Sequence, residues 1–442
     1  MKRNVPKLAF YGDDFTGATD TLATVAQAGL AALLFLRPPT PEQLTAAGPL
    51  DCLGIAGAAR SMRATEQAAE LESVGPFFAQ LGAPVTHYKT CSTFDSSPDI
   101  GSIGTAVRIL RQQLKPAAFM PIVGGQPNLN RYCVFGNLFA AFQTGEGAYR
   151  LDRHPTMSRH PVTPMREADL RRHLALQGLE RMAGIEYPQY DLPPHALNAL
   201  IEKSIENAPD GVLFDIGHAS HLAIVGRTIW QHACRRPLLA IGPSSVAQAL
   251  LAHWHTTEQS NGIHTAPSHP HIRPADGPVF VLSGSMSPVT ARQIEAAVSY
   301  KKIALDIDAL IGNNSARLDA ALTQAVQTLA QGHHVLAYTS ASVTTNFPST
   351  PPAVLAQASG AFLARVLERA QPRRIGIAGG DTSSYAVKAL DIWGLSYLGQ
   401  IDQGAALCRT HSDLPYLSGI DIMLKGGQMG STTLFEKLLA QE

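Results

Sequence analysis

At 442 residues the chain is longer than a single hydrophobic core usually grows, so two domains are expected. Its 35 Lys and Arg balance its 35 Asp and Glu, which removes the basic footprint of a nucleic-acid binder while leaving room for a local anion site. The five cysteines (Cys52, Cys91, Cys133, Cys234, Cys408) are scattered without metal or C-x-x-C spacing, and no leader-like or membrane-length apolar run is present. That pattern suits reduced thiols in a cytoplasmic protein with no membrane partner.

The first expected strand, "KLAFYG", runs into "YGDDFTGATD" (Tyr11 to Asp20). Two acids at the mouth of a buried strand, before a helix, admit two readings. Asp, Thr and Gly suit a capping turn, and paired carboxylates at that edge suit an α/β active site. "AALLFL", "CLGIAG", "VTHYKT" and "AAFMPIVG" follow as strands, with amphipathic stretches such as "ATEQAAELESVGPFFAQLG" among them. "GVLFDIG" and "PLLAIGP" are two more strands, each leading into a helical pattern. This alternation predicts mainly parallel sheets covered by helices. Polar, Pro- and His-rich sequence then breaks it, which predicts a first domain over residues 1–254, a linker over 255–277 and a second domain over 278–442. The linker-region histidines (His253, His255, His264, His269, His271) are irregularly spaced and joined by no carboxylate or Cys, so no metal site is assigned to them.

In the second domain "VFVLSGS", "KIALDI", "HVLAYTS" and "RIGIAGG" read as strands. Three stretches there pass from strand through small residues into a helix: Ser283-Gly284-Ser285, Gly379-Gly380-Asp381-Thr382, and Lys425-Gly426-Gly427. Glycine lets the backbone approach an anion, and free N–H groups at a helix start favour it. One such loop is ordinary turn chemistry, whereas three in one domain point to a polyphosphate. No G-x-x-x-x-G-K-[ST] and no strand-following G-x-G-x-x-G occurs, so neither common nucleotide fingerprint applies.

The whole chain resembles the four-carbon acid sugar kinases. Six stretches carry the likeness in the family's order: "GDDFTGATD", "YKTCSTFDSSPDIGSIG", "MSRHPVTPM", "SGSMSPVTARQI", "AGGDTSSYAV" and "LKGGQMG". The resemblance implies a two-domain α/β fold, each domain a mainly parallel sheet flanked by helices, with the active site in the interdomain cleft. It implies sugar-acid binding by the first domain and ATP binding by the second, with Mg²⁺ arriving on the nucleotide. Carried over, Asp13 and Asp14 are the catalytic candidates, with Asp14 favoured as base because Asp13 is assigned to the turn. Lys89, Ser92, Thr93, Asp95 and His160 are expected at the sugar acid. Ser283, Ser285, Gly379, Gly380, Asp381, Thr382, Gly426 and Gly427 are expected at the nucleotide, with Asp381 nearest the Mg²⁺.

The departures bear on the substrate. Gln126 stands where an Arg is expected, Asn137 where a His is expected, and Asp95 where the threonate-type branch has Arg; Arg131 is a candidate substitute cation. A branched acid such as 3-oxo-isoapionate is therefore weighed beside 3-oxo-tetronate. A haloacid-dehalogenase-type hydrolase needs Asp-x-Asp, which "YGDDF" does not supply. A non-catalytic two-lobed sugar-acid sensor is the alternative, although it leaves the three loops without a task. The oligomeric state is left open, a homo-oligomer included.

Overall fold

The computed structural model describes all residues except 1–4, 143–146, 161, 208, 261–271, 285–286, 313–314, 341–351, 428 and 440–442. The side chains of 258–260, 315, 340, 352–353 and 381 are likewise outside the described set. The chain forms two compact units, residues 1–32 with 37–268 and residues 33–36 with 269–442.

The first unit is built on strands β1 (Leu8–Gly12), β3 (Cys52–Ala56), β4 (Val85–Lys89), β5 (Pro121–Gln126), β9 (Met182–Ile185), β10 (Gly211–Asp215) and β11 (Leu238–Gly242). They pair in the order β3-β1-β4-β11-β5-β10-β9, all parallel. Every residue of β1, β3, β4, β10 and β11 is buried, as helices on both faces demand, and all of these but β4, with its buried Thr86, His87 and Lys89, read as largely apolar runs. An antiparallel extension, β6 (Arg131–Val134), β7 (Asn137–Ala141) and β8 (Ala148–Arg150), continues from the end of β5. Its strands are half-exposed and short, so periodicity did not announce them.

The second unit contains β12 (Val279–Ser283), β13 (Tyr300–Asp306), β14 (His334–Ser340), β15 (Arg374–Ala378), β16 (Gly394–Asp402), β17 (Ala405–His411) and β18 (Asp421–Lys425). Parallel pairing runs β13-β14-β12-β15-β18, and β17 and β16 then add antiparallel strands. The edge strand is β2 (Ala32–Phe35), which pairs with β16 through Leu34 and Phe35, the latter with its ring 6.0 Å from that of Trp393. This differs from the expectation of a first domain continuous over 1–254: an apolar run of four residues does not reveal its partner, which register and ring packing decide.

The expected linker start also shifts. The helix Ser245–Ser260 carries through residues 255–260, and residues 261–271, with His264, His269 and His271, lie outside the described set. Among the described residues no helix is long and apolar enough to cross a membrane.

Candidate active site

The C-terminal edge of the first sheet gathers most of the expected substrate residues. Because β1 lies between β3 and β4, the turns after these strands are adjacent: Gly12 pairs with both Ala56 and Lys89. Asp13 follows β1, its backbone N–H donating to the Lys89 carbonyl at 3.0 Å and its carbonyl accepting from Arg60 at 3.0 Å.

Asp14 is the N-cap of the helix Phe15–Gln27. Its extended backbone turns the carboxylate back to accept from the Gly17 N–H at 3.0 Å and from the Thr16 hydroxyl. Arg60 approaches the same carboxylate at 3.1 Å and Lys89 at 3.5 Å. Burial pushes its carboxyl up, but the two cations and two hydrogen bonds outweigh burial and hold it well below the usual carboxylate range. The capping turn, which the sequence offered without choosing an acid, is capped by Asp14. Gly17 makes the arrangement sterically feasible, since a Cβ there would fall 1.5 Å from Lys89 Nζ.

Asp13 is the opposite case. It is 3% exposed, and among the described residues its Oδ1 has no hydrogen-bond partner. Burial raises its carboxyl to about 7, Lys89 opposing and the Asp14 charge adding to the rise. Asp95 accepts from Thr93 Oγ1 at 2.8 Å and lies 4.0 Å from Arg60 Nε. Burial raises its carboxyl too, but Arg60, His160 and bonds from Cys91 and Thr93 bring it below its ordinary value. Ser92 is half-buried on the same turn, where Phe94 sits at φ 53 and its N–H donates to the Cys91 carbonyl. His160 Nδ1 accepts from the Thr163 N–H at 3.1 Å, so in the neutral ring the proton resides on Nε2.

Gln126, at the end of β5, donates to Asp20 at 3.1 Å, and Ser244 donates to the same carboxylate oxygen. Arg131 pairs in register with Gln126, and its Nε is buried without a partner among the described residues. Arg60 was missed from sequence; its one signal is its place after "CLGIAG", at the mouth of a strand beside β1.

In the second unit β12, β15 and β18 end side by side: Ser283 pairs with Ala378, and Ala378 with Lys425. The Gly284 N–H donates to the Ala378 carbonyl and the Gly379 N–H to that of Lys425, so the three glycine loops leave one edge together. Gly379 has φ 123, a conformation side chains disfavour, and opens the helix Gly380–Lys388. A Cβ at Gly284 would fall 2.3 Å from Thr382 Oγ1, so this position admits only glycine without rearrangement. Ser283 Oγ is buried and, among the described residues, has no partner, a polar atom suited to a ligand. Ser285 and the Asp381 side chain, both expected here, lie outside the described residues.

A parallel sheet bearing a carboxylate cluster in one unit, and one edge with three glycine loops in the other, define a small-molecule enzyme with a nucleotide-type site. The model of the sugar-binding N-terminal domain matches residues 8–250, and that of the nucleotide-binding C-terminal domain matches residues 280–435. The chain belongs to the four-carbon acid sugar kinase family and is a carbohydrate kinase, a phosphotransferase that uses ATP. It is 38% identical to the 3-oxo-isoapionate kinase of Paraburkholderia graminis, over 97% of this chain and 93% of that one. The 3-oxo-tetronate kinases of Cupriavidus necator and Pseudomonas fluorescens are 29% and 30% identical, each over 99% of this chain and 97% of its own. A crystal structure from Salmonella typhimurium LT2 superposes with a TM-score of 0.77 over 97% of this chain and 98% of its own at 23% identity, a likeness of fold.

Proposed function

We propose that the chain phosphorylates a hydroxyl of a small oxo-sugar acid with ATP, and that Asp13 is the general base. The observation that carries this is the contrast between neighbours. Asp14 is fully engaged as cap and ion-pair partner, whereas Asp13 is buried, lacks a partner on Oδ1 and titrates near neutrality. A base poised near the working pH can orient an alcohol and accept its proton as the phosphoryl group arrives. Asp14 is a positioning residue here, in place of the base assigned from sequence.

The residues of the second unit fit a nucleotide: the Ser283 hydroxyl lacks a partner among the described residues, and Gly284 and Gly379 let the backbone come close. ATP supplies the phosphoryl group, with Mg²⁺ neutralising its phosphates and Asp381 the residue proposed nearest the ion. In the first unit, Arg60 and Lys89 are shared with Asp14, while Thr93, Ser92 and the Nε2–H of His160 supply polar contacts for the sugar acid.

A branched acid of the 3-oxo-isoapionate type is the favoured substrate. Identity to that relative exceeds identity to the 3-oxo-tetronate kinases, and Gln126 and Asp95 change the charge pattern around the site. Cytoplasmic residence accords with ATP as co-substrate and with five cysteines in the free state.

The test is ADP release with ATP and Mg²⁺ across 3-oxo-isoapionate, 3-oxo-tetronates, threonate and erythronates. Stimulation strongest with 3-oxo-isoapionate is expected, and stimulation by a tetronate alone would refute the substrate assignment. A protein that binds sugar acid but neither binds nor turns over ATP would be the sensor.

A further inference from the structure

Lys425, at the end of β18, is fully buried, and no carboxylate among the described residues pairs with it. Its ammonium donates to Thr290 Oγ1 at 2.8 Å and to Gln293 Oε1, and lies 5.9 Å from the centre of the Phe435 ring. A buried cation held only by neutral groups is costly, and burial lowers its pKa to about 7. Replacement by an apolar side chain of similar length would remove that cost. The proposed phosphotransfer assigns this residue no role.

Its partners show what the charge does. An ammonium is donor-only, so it fixes the direction of every bond beyond it. With Oε1 turned to Lys425, the Gln293 amide must present Nε2 on its other side, where it donates to the carbonyls of Met429, Gly430 and Ser431 at 3.0, 3.1 and 2.9 Å. With its lone pair facing Lys425, the Thr290 hydroxyl donates to the Gly427 carbonyl at 2.9 Å. The carbonyl of Lys425 itself accepts from the Gly379 N–H at 2.9 Å. One residue thus ties the glycine loop after β18 to the one after β15.

We infer that Lys425 is a positioning residue for nucleotide binding, acting through Thr290 and Gln293 to hold the carbonyls of Gly427, Met429, Gly430 and Ser431 inward. This rests on the reading of these loops as the nucleotide site. Without the lysine, Gln293 Oε1 and Thr290 Oγ1 lose their buried donor, and the two side chains that hold the loop lose the anchor on their inner side.

Gln293→Glu separates this from a purely structural role. The carboxylate would give Lys425 the ion-pair partner it lacks, yet could not donate to three carbonyls. Calorimetric titration with ADP, alongside thermal unfolding, reads both effects. Q293E should weaken ADP binding about tenfold or more while leaving the melting temperature equal or higher. K425M should weaken ADP to a similar extent, and K425M/Q293E no further than the worse single variant, because the two act in one relay. Q293E and K425M that both bind ADP like wild type would overturn the inference, as would full additivity in the double variant. Wild type that fails to bind ADP would instead refute the nucleotide reading beneath it.

Discussion

Asp13→Asn removes one proton acceptor and almost no volume, so its effects on turnover and on stability are both interpretable. Loss of a positioned general base should lower kcat about 10²- to 10⁴-fold, with little change in ADP binding. The stability effect has a definite sign. An exposed Asp titrates near 3.8, and in the fold Asp13 titrates at about 7, so between those values the folded state holds the extra proton. The cost of burying Asp13 is therefore absent below about pH 4, grows as pH rises, and is complete above about 7, where it is on the order of 4 kcal/mol. D13N should be more stable than wild type at pH 8, with the gain vanishing toward pH 4, as read by urea denaturation at several pH values. Wild-type kcat/KM should in turn fall on the acid side with an apparent pKa near 7, because the free enzyme needs the carboxylate. Turnover within tenfold of wild type in D13N would refute Asp13 as base, as would an acid limb near pH 4.

Gly17→Ala tests the other half of the site. Alanine in a helix ordinarily gains about 1 kcal/mol over glycine, but here its Cβ would fall 1.5 Å from Lys89 Nζ and drive the ammonium away from Asp14, so a net destabilisation and a loss of activity are expected. A stabilised G17A with full activity would refute the packing argument. Arg60→Ala strips the guanidinium from both Asp14 and Asp95 and should cost about 3–5 kcal/mol at pH 7 by the same denaturation assay, together with most activity. A loss under about 1 kcal/mol would show that Arg60 is a surface partner only.

Most of the parallel strands were legible because burial on both faces leaves an apolar run, as in "LAFYG" and "GVLFD", whereas the half-buried parallel strand β9 was not. The antiparallel strands β6–β8, β16 and β17 were not: β6–β8 and β16 are partly exposed and mix polar with apolar residues, and the mostly buried β17 ends in polar Arg409-Thr410-His411. Local sequence could mark Asp13, Asp14 and Lys89 as strand-end residues. It could not supply Arg60, which becomes a site residue only because β3 pairs with β1, a nonlocal fact. Nor could it decide between the two acids, because each is a good capping residue in isolation.

What separates them is the direction of one turn. Asp14, at φ −144 and ψ 157, points its carboxylate at the helix start and so takes the Gly17 amide, the Thr16 hydroxyl and both cations. Asp13, one residue earlier, is left within the field of the same charges without a hydrogen bond on Oδ1. Adjacent carboxylates are thereby driven apart in acidity, one permanently ionised and one poised near neutrality. Burial is the main cause of the rise in Asp13, Lys89 and Arg60 oppose it, and the charge of the ionised neighbour adds to it. The second acid of "GDDFTG" therefore has a chemical reason as well as a capping one.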